Sequence, residues 1–148
     1  MEQDAGLLEH VTKREQANHF MTHNFGEWEL LERDHAICRM EIRQESKNPH
    51  GMVHGGALYT MADNAAGAAV HTDGRFHVTQ NSYMTFLRNQ PSGILRADAR
   101  VTHRGRSTSQ IHVEITNEEG KVLATGEFSF FCIDKARMDE KANKKADG

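Results

Sequence analysis

Residues 55–71 constrain the fold more than any other part of this chain. The segment begins with the pair Gly55-Gly56 and continues almost wholly in small or apolar residues. With histidine counted as neutral, its only charged side chain is Asp63. A helix with so little side-chain bulk lets a sheet approach it on several sides, and a helix that is apolar nearly all round is a central one. The segment therefore predicts a buried central helix.

Asp63 and the glycine pair together predict a reactive site. A carboxylate in a helix otherwise suited to full burial is costly unless its charge is compensated. A Gly-Gly start lets backbone N–H groups approach a ligand closely, and a helix N-terminus presents them with a favourable dipole. Gly55 and Gly56, with the Ala57 N–H as a further donor, can hold an oxyanion while Asp63 acts as nucleophile or general base. The competing interpretations are a solvated or paired carboxylate, and glycines that only permit close packing.

Hydrophobic periodicity organises the remainder of the chain. Residues 4–22 carry apolar positions at helical spacing, which predicts an amphipathic helix, and two strands joined near Asp34 follow. After residue 75 the pattern changes to alternation, which is typical of half-buried strands. These strands are predicted at residues 77–87, 94–103, 110–116 and 122–133. Their aromatic residues Phe86, Phe128, Phe130 and Phe131 are predicted to lie in the core. The result is an α+β fold, a curled antiparallel sheet wrapped around the central helix.

Three segments are predicted along the chain. Residues 1–24 form an N-terminal helical segment, residues 25–134 the main domain, and residues 135–148 a charged C-terminal tail. The formal net charge of −3 provides no general attraction to nucleic acid, and no apolar run approaches the length of a membrane span. We therefore expect neither nucleic acid nor a membrane among the partners.

The positions of histidine and cysteine indicate whether the chain binds a metal and in which cellular compartment it works. His50 and His54 stand four apart, but no Cys or carboxylate pattern adds a third ligand, so we expect no metal and no cofactor. Cys38 and Cys132 fall inside strand-like patterns, where a free cysteine packs as a small hydrophobe. The chain start lacks the features of a secretory signal. Together these observations predict a reducing cytoplasm.

The loop before the central helix contributes to a motif that continues into the helix. Its members are Asn48, Gly51, His54, Gly55, Gly56 and Asp63. With the strand pattern that follows, this motif resembles the PaaI-type (phenylacetate-pathway) acyl-CoA thioesterases of the hotdog fold. The resemblance implies that Asp63 is the nucleophile or the general base, that the helix start polarises the thioester carbonyl, and that Asn48 orients substrate or water. His54 has two interpretations, a helix cap and a substrate contact.

The resemblance also has implications for the strand after the helix and for assembly. In the family a Ser or Thr on that strand assists the reaction, and here Thr79 takes that position, with Asn81 as a competing candidate. Each active site uses two subunits in the family. We therefore expect a homo-oligomer that is at least a dimer, with the family pointing to a dimer of dimers.

Three arginines near predicted strand ends are candidates for contact with coenzyme A. The turn formed by Gly105, Arg106 and Ser107 resembles the family segment near the coenzyme A phosphates. Arg88 and Arg104 are alternatives, since arginine pairs well with phosphate. Arg106 is the preferred candidate.

Two other functions remain open from the sequence. A hotdog-fold hydratase or dehydratase needs an acid/base pair, and no spacing indicates a histidine partner for Asp63. A non-catalytic acyl-CoA-binding protein is expected to lack the central carboxylate. Aromatic, medium-chain and hydroxylated acyl groups are all compatible with the sequence, as are a covalent and a water-activated route.

Overall fold

The predicted order of elements is confirmed. The computed structural model describes residues 2–24, 26–133 and 144–146. The helices are α1 (Glu2–Gln16), α2 (His19–His23) and α3 (Gly55–His71), with a short 3-10 turn at Gln44–Ser46. The strands are β1 (Gly26–Glu32), β2 (His35–Glu41), β3 (Phe76–Phe86), β4 (Ile94–Arg104), β5 (Thr108–Thr116) and β6 (Val122–Ile133). The predicted tail lies almost wholly outside the described residues. Within them, no helix is both long and apolar enough to cross a membrane.

The predicted single helix over residues 4–22 is wrong in one respect, because the structure divides it. Helix α1 ends at Gln16, and Asn18 is the N-cap of α2. The Asn18 side chain accepts a hydrogen bond from the Met21 N–H at 3.1 Å. Asparagine side chains favour such caps over helix interiors, which explains the break.

One antiparallel sheet in the order β1-β2-β4-β5-β6-β3 covers one side of α3. The core consists of the inner sheet residues and the helix face that they contact. Among its fully buried members are Ala62, Ala65, Ala66, Ala69, Leu95, Ala97, Ile111, Val113, Ile115 and Phe128. The small side chains of the helix allow this close approach, as the sequence predicts.

Burial of α3 on all sides is not what the structure shows. Gly56 is exposed, and Thr60, Asp63 and Gly67 are half-buried. These positions recur at intervals of three or four residues, so they form one stripe along the helix. We call Gly56, Thr60, Asp63 and Gly67 the open stripe. It faces away from the core and carries the only charged side chain of the helix.

Strand β3 is an edge strand with an exposed apolar surface. It pairs with β6 alone among the described strands. Tyr83 is 72% exposed, Leu87 57% and Phe86 51%, and Phe131 on the neighbouring β6 is 39% exposed. The sequence pattern placed Phe86 and Phe131 in the core, and that assignment is wrong for this protomer. Natural proteins rarely leave such an edge uncovered.

A charged network closes the C-terminal end of α3. The Arg104 guanidinium donates to Asp34 Oδ1 and to Asp73 Oδ2, both at 2.6 Å, and to the Val70 carbonyl at 3.0 Å. Asp73 also accepts from the Arg75 Nε at 2.7 Å. A guanidinium bound to the last carbonyls of a helix satisfies acceptors that lack intrahelical donors. The network therefore fixes the helix end against β4.

His71 lies in this region as a buried, neutral imidazole. Its Nδ1–H donates to the Gly67 carbonyl at 2.6 Å, and its Nε2 accepts from the His77 backbone N–H at 3.1 Å. Burial lowers the pKa of His71 to about 4. Burial also lowers the pKa of His77, while hydrogen bonds from Arg75 and His77 hold the pKa of Asp73 well below its usual range despite burial.

These pKa shifts predict acid-sensitive stability. Between the unfolded value near 6.5 and about 4, the unfolded chain binds a proton that folded His71 does not, so the free energy of unfolding falls as the pH decreases. The loss from His71 is at most about 3 kcal/mol. Urea unfolding of the wild type from pH 7 to pH 4.5 measures it. His71→Gln should show a shallower pH dependence over that interval, and an unchanged dependence would contradict the assignment.

Candidate active site

Asp63 is held by one hydrogen bond from the neighbouring strand. Thr79 Oγ1 donates to Asp63 Oδ1 at 2.9 Å. Within the described residues this is the only hydrogen bond to the Asp63 carboxylate, and no cation pairs with it. The interpretation of a carboxylate neutralised by a buried partner is therefore not supported. One oxygen is oriented by Thr79, and the other is free for chemistry.

A β-bulge decides which of the two candidate strand residues reaches Asp63. The pairing of β3 with β6 shifts between Thr79 and Asn81, so Gln80 is the extra residue. Thr79 lies opposite buried Phe130, and Asn81 lies opposite Ser129. Directly opposed residues share a face of the sheet, so Thr79 faces α3 and Asn81 faces away. Within this protomer Thr79 donates a hydrogen bond to Asp63, and Asn81 does not reach it.

His54 caps the start of α3. Its Nδ1 accepts a hydrogen bond from the Gly56 N–H at 2.8 Å, and its carbonyl accepts from the Ala57 N–H at 3.0 Å. The cap interpretation of His54 is thus confirmed. Gly55 N–H donates to no described residue. Of the three predicted oxyanion donors, only Gly55 N–H is therefore available in this protomer.

Asn48 organises the loop before the helix. Its Oδ1 accepts from the backbone N–H groups of His50 at 2.9 Å and Met52 at 3.2 Å. Gly51 has a φ of +78°, a conformation that favours glycine, and its N–H donates to the Asn48 carbonyl at 3.0 Å. No described residue accepts from Asn48 Nδ2. The side chain thus shapes the loop with its oxygen and keeps its amide donor free.

The parts of the site are too far apart to act together within one protomer. Gly55 and Asp63 are eight positions apart on the same helix, which corresponds to about 12 Å along its axis. The free N–H groups of a helix start also point away from the helix body. A thioester carbonyl bound at Gly55 therefore lies out of reach of Asp63 on the same helix. The Gly55 N–H and the Asp63 carboxylate of one protomer therefore cannot act on the same thioester.

Comparison with known proteins identifies the family. A family model described as the Thioesterase superfamily matches residues 50–124, half of the chain, and this match includes the helix start, Asp63 and Thr79. The chain belongs to the thioesterase superfamily. The predicted hotdog fold and thioester-hydrolase class are confirmed by this membership.

Individual relatives place this thioesterase near PaaI. The acyl-coenzyme A thioesterase PaaI of Escherichia coli is 33% identical over 90 residues, which is 60% of this chain and 64% of that protein. The solved structure of E. coli PaaI superposes with a TM-score of 0.82 at 25% identity, over 89% of this chain and 95% of that one. A hypothetical thioesterase from Streptococcus pneumoniae, solved with coenzyme A, has a TM-score of 0.69 at 31% identity, over 73% of this chain and 85% of that one. The predicted PaaI-like family is therefore confirmed.

Arg104 has a structural role in this thioesterase. Its side chain is 17% exposed and is engaged by Asp34 and Asp73. Those contacts anchor the end of α3, so the guanidinium is not available to a phosphate. The candidate role of Arg104 in coenzyme A binding is not retained.

The β4–β5 turn, which carries Arg106, is held by backbone contacts. A side chain at Gly105 would come within 2.4 Å of the Thr108 carbonyl, so this position requires glycine. Arg75 donates to the carbonyls of Gly105 at 3.0 Å and Arg106 at 2.7 Å, and Ser107 accepts from the Cys132 N–H at 2.7 Å. The contacts with Arg75 and Cys132 therefore fix the backbone conformation of the turn.

Arg106 and Arg88 are the two candidates whose guanidinium groups are unpaired among the described residues. Both are exposed. Arg106 lies at the sheet end that holds the C-terminus of α3, and Arg88 follows β3 at the other end. Within one protomer they are therefore far apart.

The structure adds residues that the sequence analysis did not select. Glu15 and Asn18, from the junction of α1 and α2, line a cavity of about 180 Å³ together with Asp63, Asn64 and Thr79. Glu15 is buried and stands four positions after Val11, the buried apolar residue among the described residues of α1. The spacing places the Glu15 carboxylate on the apolar face of the helix. Helical periodicity in the sequence could therefore have identified Glu15.

Proposed function

We propose that this thioesterase hydrolyses acyl-CoA, so that acyl-S-CoA and water give a carboxylate and CoA. The observation that carries this proposal is Asp63, which accepts a hydrogen bond from Thr79 and lies half-buried on the open stripe of a helix whose first N–H is free. The Gly55 N–H stabilises the oxyanion that forms on the thioester carbonyl. Asp63 attacks that carbonyl or takes a proton from the attacking water. Asn48 Nδ2 orients the substrate or the water.

We propose that two chains complete one site by pairing along the edge of β3. If β3 pairs antiparallel with its copy about a two-fold axis between Ser82 and Tyr83, Thr79 lies opposite Phe86 of the partner subunit. Phe86 contacts the helix start, since a side chain on Gly55 would lie 3.6 Å from its ring. Such a pairing brings Asp63 of one protomer to the helix start of the other. The same contact covers the exposed apolar edge.

This assembly predicts that the active species is a dimer, which the family resemblance extends to a dimer of dimers. Light scattering should give twice or four times the chain mass of 16.7 kDa. Tyr83→Glu places two carboxylates beside the axis and should lower both the mass and the turnover. Thr102→Glu, on the exposed side of β4, is the matched control. An active monomer at micromolar concentration would contradict the proposal that each site is shared by two chains.

The same pairing brings two free cations together. In this pairing His77 lies opposite Arg88 of the partner subunit. His77 and Arg106 are at the same end of the sheet, so Arg88 of the partner subunit comes close to Arg106. We propose that these two guanidinium groups contact the phosphates of coenzyme A, since arginine binds phosphate through several N–H donors. The turn of Gly105 and Ser107 positions Arg106 for this contact.

Arg106→Ala should raise KM for acyl-CoA with little change in kcat. A remote phosphate contact is made equally in the ground and transition states, so its loss is a loss of uniform binding. We expect a rise in KM of roughly 3- to 30-fold, smaller at high salt because screening weakens exposed charge pairs. Lys121→Ala, at the opposite end of the sheet, is the control cation. The wild type and Arg106→Ala should hydrolyse a short thioester without the nucleotide at equal rates. An equal loss of activity on this short substrate would show that Arg106 supports the fold.

A panel of acyl-CoA thioesters tests the proposed activity directly. Released thiol is detected with a colour reagent, and the predicted result is saturable turnover on at least one substrate. A parallel assay with an enoyl-CoA follows its absorbance for hydration. Hydration without thiol release would favour the hydratase alternative, and binding without either reaction would favour the non-catalytic one.

The cysteines support a cytoplasmic location. Cys38 is buried and Cys132 half-buried, and both are free thiols. Two unpaired cysteines are typical of proteins in a reducing compartment. We therefore propose that the thioesterase works in the cytoplasm.

A further inference from the structure

A second cavity lies at the C-terminal end of α3, and none of the proposed reacting groups lines it. Its volume is about 400 Å³, and we call it the α1 cavity because α1 forms one of its walls. Val11 and Arg14 line it from α1, His71 from the end of α3, and Phe76, Cys132 and Ile133 from the first residue of β3 and the end of β6. The walls are therefore largely apolar, with a cation at one side.

The α1 cavity adjoins the cavity that contains Asp63. Arg14 and His71 line the α1 cavity, and the same two side chains line the smaller cavity of about 180 Å³ around Asp63 and Thr79. His71 comes eight positions after Asp63, which corresponds to about 12 Å along the axis of α3. The two cavities are therefore neighbouring compartments along one helix.

Arg75 connects the α1 cavity with the turn that carries Arg106. Its guanidinium lines the cavity and donates to the carbonyls of Gly105 at 3.0 Å and Arg106 at 2.7 Å. Arg14, in the last turn of α1, is exposed and contributes a second cation beside the cavity. The surroundings of the α1 cavity thus combine apolar walls with arginines, a combination that suits a ligand with a flat ring and phosphate groups.

The chemistry of acyl-CoA identifies this ligand, so the inference rests on the proposed function. The pantetheine arm separates the thioester from the nucleotide and spans roughly 15 Å, by the dimensions of an extended peptide chain. When the thioester lies at Asp63 and the arm follows α3, that length carries the nucleotide past His71. We propose that the α1 cavity binds the adenosine 3′-phosphate end of coenzyme A. Phe76 contacts the adenine ring, and Arg14 pairs with a phosphate.

Cys132 provides a direct test that needs no turnover. The chain has two cysteines, and Cys132 lines the α1 cavity while Cys38 is buried. Burial raises the pKa of the Cys38 thiol to about 12, so iodoacetamide at neutral pH should alkylate Cys132 selectively. Adenosine 3′,5′-bisphosphate at millimolar concentration should slow this alkylation by about 5-fold or more, as measured by mass spectrometry. Pantothenate, which lacks the nucleotide, should not slow it.

Arg14→Ala should weaken the protection of Cys132 and raise KM for acyl-CoA by about 3- to 10-fold with kcat unchanged. A phosphate contact far from the thioester is made equally in the ground and transition states, so its loss is a loss of uniform binding. The same acyl group on pantetheine should be hydrolysed with equal kcat/KM by the wild type and the variant. Lys13→Ala is the matched control, since the Lys13 side chain is 71% exposed and does not line the cavity.

Alkylation of Cys132 that the bisphosphate does not slow would overturn this assignment. Equal losses by Arg14→Ala on acyl-CoA and acyl-pantetheine would overturn it as well, because the nucleotide would then play no part. An effect of Arg14→Ala that follows the length of the acyl chain would place that chain in the α1 cavity instead. Absence of thiol release from every acyl-CoA would overturn the proposed function, while protection of Cys132 would still identify a nucleotide site.

Discussion

Asp63→Ala should abolish nearly all thioesterase turnover, with a loss of at least about 1,000-fold in kcat. The carboxylate is the only charged group on the open stripe, and no other described acceptor shares its contact with Thr79. Substrate binding should persist, because the proposed phosphate contacts lie elsewhere. Steady-state thiol release and acyl-CoA binding by calorimetry measure the two effects separately.

Asp63→Asn distinguishes chemistry from packing. An amide of the same shape can keep the hydrogen bond from Thr79, yet it neither attacks a thioester nor accepts a proton at neutral pH. It should therefore be as inactive as the alanine variant, with an unchanged melting temperature. Glu119→Ala, in the exposed β5–β6 turn, is the control carboxylate. Wild-type turnover in either Asp63 variant would remove Asp63 from the mechanism.

Gly55→Pro should lower kcat by about 100- to 1,000-fold, the usual effect of removing one oxyanion donor. Proline is favoured at the first position of a helix, where its missing N–H is not needed for the intrahelical ladder. The preceding His54 has φ −69° and ψ 136°, which is the extended conformation that proline requires of its neighbour. The variant thus removes the free N–H without breaking the helix.

Mixing the two inactive variants tests the shared site. A dimer of one Asp63→Ala chain and one Gly55→Pro chain contains one site with neither substitution, because Asp63 and the helix start come from different chains. Random exchange of equal amounts should therefore restore about one quarter of wild-type activity. Recovery of no activity after verified subunit exchange would show that each site lies within one chain.

Local signals predicted the parts of this protein that depend on neighbouring residues in sequence. Alternation identified the strands because successive side chains of a strand point to opposite faces. Small residues identified α3 because only they allow a sheet so close. The Gly-Gly start and the isolated charge of Asp63 indicated the site because each is unfavourable in a helix without a function.

Other features depended on contacts distant in sequence, and only the tertiary structure decided them. The bulge at Gln80 turns Thr79 toward Asp63 and Asn81 away, which alternation alone does not reveal. Arg104 is committed to Asp34 and Asp73, residues 70 and 31 positions away. Burial and hydrogen bonding are set by which groups meet in space. Sequence spacing therefore selected the candidate groups, and packing determined which of them are free of other hydrogen bonds and ion pairs.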